Sequence, residues 1–283
     1  MGKECGLNKM EYVGATYFDL QSSGVNFYKE SNSSRSYLDD EKNKNEIQQA
    51  DSCIIEYLYN DLVSIPYRII REIQDDPLFE SLTWQWYEHY SKNKLEEWKN
   101  STEYIMYDEW VKSIFNEYIG NVSGVNTSLD NLKNASTYIG RYEYELKKVR
   151  DINPNIDILI LSDPQPIKST NNLGGLPYEK ETSTWGVVDN NNMKKVKNYN
   201  TNFGDKKQTL INQAIIDEYS HLYTDKMEQL AKEYNIAYID LWNETKDTIT
   251  DGTFHINKAQ AMHLNQKGHD YVASYVKWRL GIK

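Results

Sequence analysis

Three short apolar runs constrain this chain most: "SCIIEYLY" (52–59), "IDILILSD" (156–163) and "IAYIDLW" (236–242). Each has strand length, is rich in Ile or Tyr, and is followed by turn-forming residues. A weaker fourth candidate is "MEYVGATYFDL" (10–20). Between the runs, apolar residues recur at helical spacing over 129–154, which Pro154 ends, and over 209–235, which leads into the third run. A last amphipathic stretch covers 268–280. Strands alternating with long helices build βαβ units, and their hydrophobic runs belong in a parallel sheet covered by helices. The expected class is α/β, with a mostly parallel sheet.

Two stretches break that rhythm. Residues 67–125 carry Trp84, Trp86, Trp98 and Trp110 within helical periodicity, and read as a helical insertion. Residues 164–206 are rich in Asn, Gly and Lys, with Pro164, Pro166, Gly174, Gly175 and Pro177. A loop that long in a compact domain is often functional. A chain of 283 residues has ample material for a core, and 1–283 is read as a single domain.

Charge and composition exclude several classes. The net charge is -10 and the pI about 5.1. Such a chain repels phosphate backbones, and no basic stripe interrupts it, so no nucleic-acid partner is expected. No apolar run reaches the roughly 18 residues of a membrane span. The start, "MGKECGLNKMEY", lacks the apolar core of a signal peptide, so the compartment stays open; a native start further upstream would allow secretion. Cys5 and Cys53 cannot make a disulfide framework or a four-ligand zinc site, and Cys53 reads as a small buried hydrophobe. The five histidines are scattered, so neither a metal nor another cofactor is expected.

Three constellations can carry chemistry. Asn60, in "EYLYNDL" (56–62), follows a strand at the carboxyl end of a parallel sheet, where ligands bind in open α/β folds. Its amide could donate to an oxyanion; Asn-Asp also suits a turn or a helix N-cap. Gly24, in "DLQSSGVNFY" (19–28), suits a tight turn with its N–H facing a ligand, or an ordinary Ser-Gly turn. Ser22 and Ser23 beside it are nucleophile candidates if a base lies within reach. His263, in "MHLNQKGHDYVASYV" (262–276), precedes Asn265, Gly268 and the last helix. It is either a base on a loop or a packing and capping residue. His269 starts the helix and reads as structural.

Taken together and in order, these stretches resemble the SGNH (GDSL-type) hydrolase superfamily. "FDLQSSGVNF" is similar to its second block, with Gly24 as the oxyanion glycine. "ADSCIIEYLYNDL" is similar to its third, with Asn60 as the oxyanion amide, and "AMHLNQKGHDYVASYV" to its fifth, with His263 as the base. The likeness covers residues 10–64 and 135–283. It implies a flavodoxin-like three-layer α/β/α fold. It also implies an esterase or deacetylase acting on acyl esters, small-molecule or carbohydrate, through a serine nucleophile. The tryptophan-rich insertion prompts the carbohydrate expectation.

The sequence also departs from that pattern. No Gly-Asp-Ser precedes Gly24, and the nearest imitation is "GAT", with Thr16 in the serine's place. Leu58 stands where the family has a glycine, and Gln260 where it has the Asp that orients the base. Asp251 and Asp247 are upstream substitutes for that Asp, and His255 is a second candidate base. Without the first block, the sheet lacks its first strand. Unpaired backbone groups in that slot would cost about 1–3 kcal/mol each if buried. An upstream segment, a partner chain, or the N-terminal residues themselves could fill it. The serine nucleophile is thus not identified in this chain, and the alternatives are a catalytically degenerate binding or assembly protein that keeps the fold, or a truncated fragment of the enzyme.

Overall fold

The structure is a computed structural model, and it describes residues 38, 41–57, 62, 65–66, 69, 76–133, 135–165, 211, 214–249, 253–254 and 264–282. Among the described residues, β1 (Ser52–Tyr57), β2 (Asp157–Ser162) and β3 (Ala237–Ile239) form a parallel sheet in the order β1-β2-β3. Each strand falls inside one of the three apolar runs. The fourth candidate, 10–20, lies outside the described residues. β3 is much shorter than its run because the chain leaves the sheet at Asp240. That carboxylate caps α8 (Leu241–Glu244), accepting from the Asn243 N–H at 3.2 Å.

Among the described residues the further elements with bounds are α1 (Glu41–Gln49), α2 (Pro77–Ser91), α3 (Leu95–Trp98), α4 (Thr102–Ile119), α5 (Leu129–Leu132), α6 (Tyr138–Ile152), α7 (His221–Glu233) and α9 (Gln266–Arg279). Side chains alternate across a strand, so β2 feeds two cores. Ile158 and Ile160 pack with Ile55 and Tyr57 of β1, Leu146 and Val149 of α6, and Met227 and Leu230 of α7. Leu159 and Leu161 pack on the opposite side with Ile239, Val272 and Val276, the last two from α9. The result is an α/β fold with a parallel sheet between two helical layers. β1 differs from the expectation of a fully buried strand. Ile55 and Tyr57 are buried, whereas Ile54 is 39% exposed and Glu56 is exposed. No helix among the described residues is long and apolar enough to cross a membrane.

The stretch expected to be one helix over 129–154 is two, α5 and α6. Thr137 breaks it by accepting from the Gly140 N–H at 3.3 Å as the N-cap of α6. Ser and Thr compete for backbone groups in this way and favour caps over helix interiors. The same threonine explains Gly120, which closes α4 at φ 75°. A Cβ there would lie 2.4 Å from the Thr137 Oγ1. The turn beyond is pinned to the core by Glu143 of α6. This buried carboxylate accepts from the Ser123 N–H (2.9 Å), the Gly124 N–H (2.6 Å) and the Tyr234 hydroxyl (2.7 Å).

The stretch 67–125 holds the helices α2, α3 and α4. Asp76 caps α2, accepting from the Leu78 N–H at 3.0 Å, with Pro77 at the first helical position. Ser101 caps α4 through the Tyr104 N–H at 3.1 Å. Trp86 is fully buried and stacks on Tyr90 at 5.4 Å. Trp98 is buried and stacks on His89 at 4.7 Å. Trp84 and Trp110 are half-buried against the same core. These four tryptophans are therefore packing residues, joined to the cluster that covers one face of the sheet.

Two stability tests follow from this packing. Ile160→Ala, at a fully buried position of β2, should cost about 2–5 kcal/mol in urea unfolding, and Ile54→Ala under about 1 kcal/mol. Glu145 of α6 has its carboxyl pushed up to about 8 by burial. A raised acid pKa means that the folded state holds the proton more tightly. Its stabilising effect is complete below the unfolded value of about 4.3 and is lost as pH climbs to about 8. Unfolding free energy should thus fall by about 1–3 kcal/mol across that window, and Glu145→Gln should flatten the profile.

Candidate functional site

The carboxyl ends of the three strands lie side by side. Tyr57, ending β1, is in register with Ser162, ending β2, and Leu161 with Ile239, ending β3. The Asp163 N–H donates to the Tyr57 carbonyl at 3.0 Å, carrying the ladder one residue further. In open parallel sheets this is the edge on which ligands bind.

Beneath that edge is a polar network, buried at Ser162, Ser220, Thr224 and Trp242, half-buried at Asp240 and exposed at Asn243. The Ser162 hydroxyl accepts from the Trp242 N–H at 2.9 Å and donates to Asp240 Oδ1 at 3.2 Å. Asp240 Oδ2 accepts from the Asn243 side-chain amide at 2.6 Å, and that amide also reaches Thr224 Oγ1 at 3.3 Å. The Trp242 indole N–H donates to Ser220 Oγ at 3.1 Å. Burial raises the Asp240 carboxyl above the usual range, the hydrogen bonds from Asn243 and Ser162 oppose the shift, and the nearby Glu244 charge adds to it. The Tyr57 and Tyr238 hydroxyls meet at 2.7 Å, and the Tyr238 hydroxyl donates to the Thr224 carbonyl at 3.2 Å. Burial is the main cause that lifts the Tyr57 phenol far above its ordinary value; the Tyr238 and Asp240 charges add to it. Both phenols therefore stay neutral.

This network is support, not a nucleophile. Ser162 is fully buried, and its oxygen is engaged both as donor and as acceptor. No reacting carbonyl can approach it. The Cys53 thiol is excluded on other grounds. It is half-buried in β1, and burial pushes it up to about 11, so it carries almost no thiolate at neutral pH.

The segment that follows His263 is anchored in detail. Leu264 packs into the Leu159–Leu161 core. The Asn265 N–H donates to the Phe254 carbonyl at 2.9 Å, and its side-chain amide to the Thr253 carbonyl at 2.8 Å. Its side-chain oxygen caps α9, accepting from the Gly268 N–H at 3.0 Å. Gly268 must lack a side chain, because a Cβ would lie 2.3 Å from the Phe254 carbonyl oxygen. The Leu-Asn-x-x-Gly spacing thus joins the start of α9 to residues 253–254. His269 is exposed in the first turn, and its backbone N–H donates to the Asn265 carbonyl at 3.0 Å.

Gly24, Asn60, His263, Ser22, Ser23, Thr16, Asp251, His255 and Gln260 all lie outside the described residues. Leu58 does as well. Among the described residues no group of His, Cys, Asp and Glu could hold a metal ion. The residues that sequence reasoning missed are Ser162, Asp240, Asn243 and Thr224. A signal for two of them existed, since Asp240 and Asn243 in "IDLWN" have the spacing of an N-cap and its third helical residue. No family model, no curated protein and no solved structure matches this chain.

The network and the anchor make one joint prediction. Ser162→Ala leaves the Trp242 N–H and Asp240 short of a partner, and should cost about 1–3 kcal/mol in denaturant unfolding. It should not change the yield of serine labelling by a fluorophosphonate probe. Gly268→Ala should destabilise by about 1–3 kcal/mol through the clash with Phe254.

Proposed function

We propose that this chain is an SGNH-type esterase or deacetylase, acting on acyl esters of small molecules or carbohydrates. The observation that supports this most is the parallel order β1-β2-β3 together with the anchored Leu264–Gly268 segment. β1 leads to Asn60 three residues past its end, and the anchored segment follows directly on His263. In the proposed reaction a serine Oγ attacks the ester carbonyl while His263 takes its proton. The tetrahedral oxyanion accepts hydrogen bonds from the Gly24 N–H and the Asn60 amide. Its collapse expels the alcohol, which takes the proton from His263, and water then releases the acid from the acyl-serine.

A second reading is a binding or assembly protein on the same fold. The absence of Gly-Asp-Ser, Leu58 in the glycine's place and Gln260 in the aspartate's place favour it. Hydrolysis of p-nitrophenyl acetate, run beside fluorophosphonate labelling, separates the two. The esterase reading expects turnover above background and one labelled serine. His263→Ala should lower turnover at least about 100-fold, and Asn60→Ala about 100- to 1,000-fold. Background turnover with no labelled serine rejects catalysis by this chain and leaves the binding protein.

A further inference from the structure

Among the described residues β1 lies at the edge of the sheet, paired with β2 alone. The Asp157 N–H donates to the Asp51 carbonyl at 3.1 Å, and the Asp163 N–H to the Tyr57 carbonyl at 3.0 Å. Backbone groups of a parallel strand alternate between its two edges, so residues 51, 53, 55 and 57 face β2. Ser52, Ile54 and Glu56 therefore aim their N–H and C=O groups at the outer edge. The same three residues have exposed side chains, Ile54 at 39%. An edge of this kind is a template for a further strand.

The crossovers decide where that strand comes from. α6 leads into β2 and α7 into β3, and both lie on the Ile158–Ile160 face. α1 leads into β1 over the same face. Leu38, Ile47 and Ala50 pack into its core, and the Asn153 side-chain amide donates to the Ile47 and Ala50 carbonyls at 3.0 and 2.9 Å. Crossovers between parallel strands are right-handed with few exceptions. With its helix on the face used by α6 and α7, a strand ahead of α1 must enter on the side of β1 away from β2. A place beyond β3 would need the opposite hand. The strand-like run ahead of α1 is "MEYVGATYFDL" (10–20), whose Tyr, Val, Thr and Phe suit a strand, and residues 21–37 remain for the connection.

We propose that residues 10–20 pair in parallel along the outer edge of β1, with α1 as their crossover helix. The outward groups of Ser52, Ile54 and Glu56 then complete a second ladder, and the place of the first strand is filled from within the chain. This holds for the esterase and for the binding protein alike, since both use the same sheet.

The test is hydrogen exchange of the full chain, read at single amides. The Ile54 and Glu56 amides should exchange at least about 100-fold more slowly than in an unstructured peptide, at a rate independent of protein concentration. Neighbouring residues of a strand aim their N–H groups at opposite edges, so one of Ala15→Pro and Thr16→Pro must remove a bond to β1. That variant should speed exchange at Ile54 and Glu56 by about tenfold or more, while the Leu161 amide in β2 keeps its protection. In a Cys5→Ser, Cys53→Ala background, Ile54→Cys combined with Ala15→Cys or Thr16→Cys should cross-link within the monomer through a short bis-maleimide. Unprotected Ile54 and Glu56 amides, or protection that neither proline disturbs, overturn the proposal. So does a cross-link found only in dimers, which assigns the edge to a second copy.

Discussion

β2 has strand partners on both edges and helices over both faces. Its four central residues, Ile158 to Leu161, are between 0 and 7% exposed. The rest of the fold is arranged around that two-sided burial. α6 and α7, which lead into β2 and β3, lie on the Ile158–Ile160 side, and α9 closes the Leu159–Leu161 side. α2 and α4 join the first of these cores through Trp86, Tyr107 and Phe115. Hydrophobic burial is non-directional, so distant segments can share one core without sharing a sequence pattern.

The polar network below the strand ends limits what that edge can do. Ser162, Asp240, Asn243 and Thr224 satisfy one another, and Trp242 adds its backbone and indole N–H groups. The network's buried Ser162 end is satisfied and so rigid, while Asp240 is half-buried and Asn243 exposed. Ser162 therefore supplies no nucleophile, and the residues proposed for the chemistry lie outside the described residues. The anchored Asn265–Gly268 turn fixes the start of α9 to residues 253–254.

Much of the fold was legible in residue order. The Ile-rich runs marked β1, β2 and β3, and the apolar spacing marked α6, α7 and α9. The failures have physical causes. The helical period of 129–154 continued in pattern across Asn134–Thr137, but the Thr137 hydroxyl accepts from the Gly140 N–H and starts a new helix there. The run 236–242 stayed apolar past the end of β3, because Leu241 and Trp242 are buried from a helix and not from a strand. Of the site, the Leu-Asn-x-x-Gly pattern was legible, and its bonds give it a mechanical meaning. The Ser162–Asp240 pair was not, since 78 residues separate the two and only strand pairing brings them together.

The amino-acid order alone determined the α/β class, the apolar runs that hold the three strands, and the apolar spacing of α6, α7 and α9. Those follow from local periodicity, which is a property of neighbours in the chain. Tertiary structure decided what periodicity cannot carry. It made β2 two-sided and β1 one-sided, turned the tryptophans of the insertion into core, and left Trp278 in solvent. Burial depends on which surfaces meet across the fold, and residues with the same apolar character end inside or outside according to that meeting.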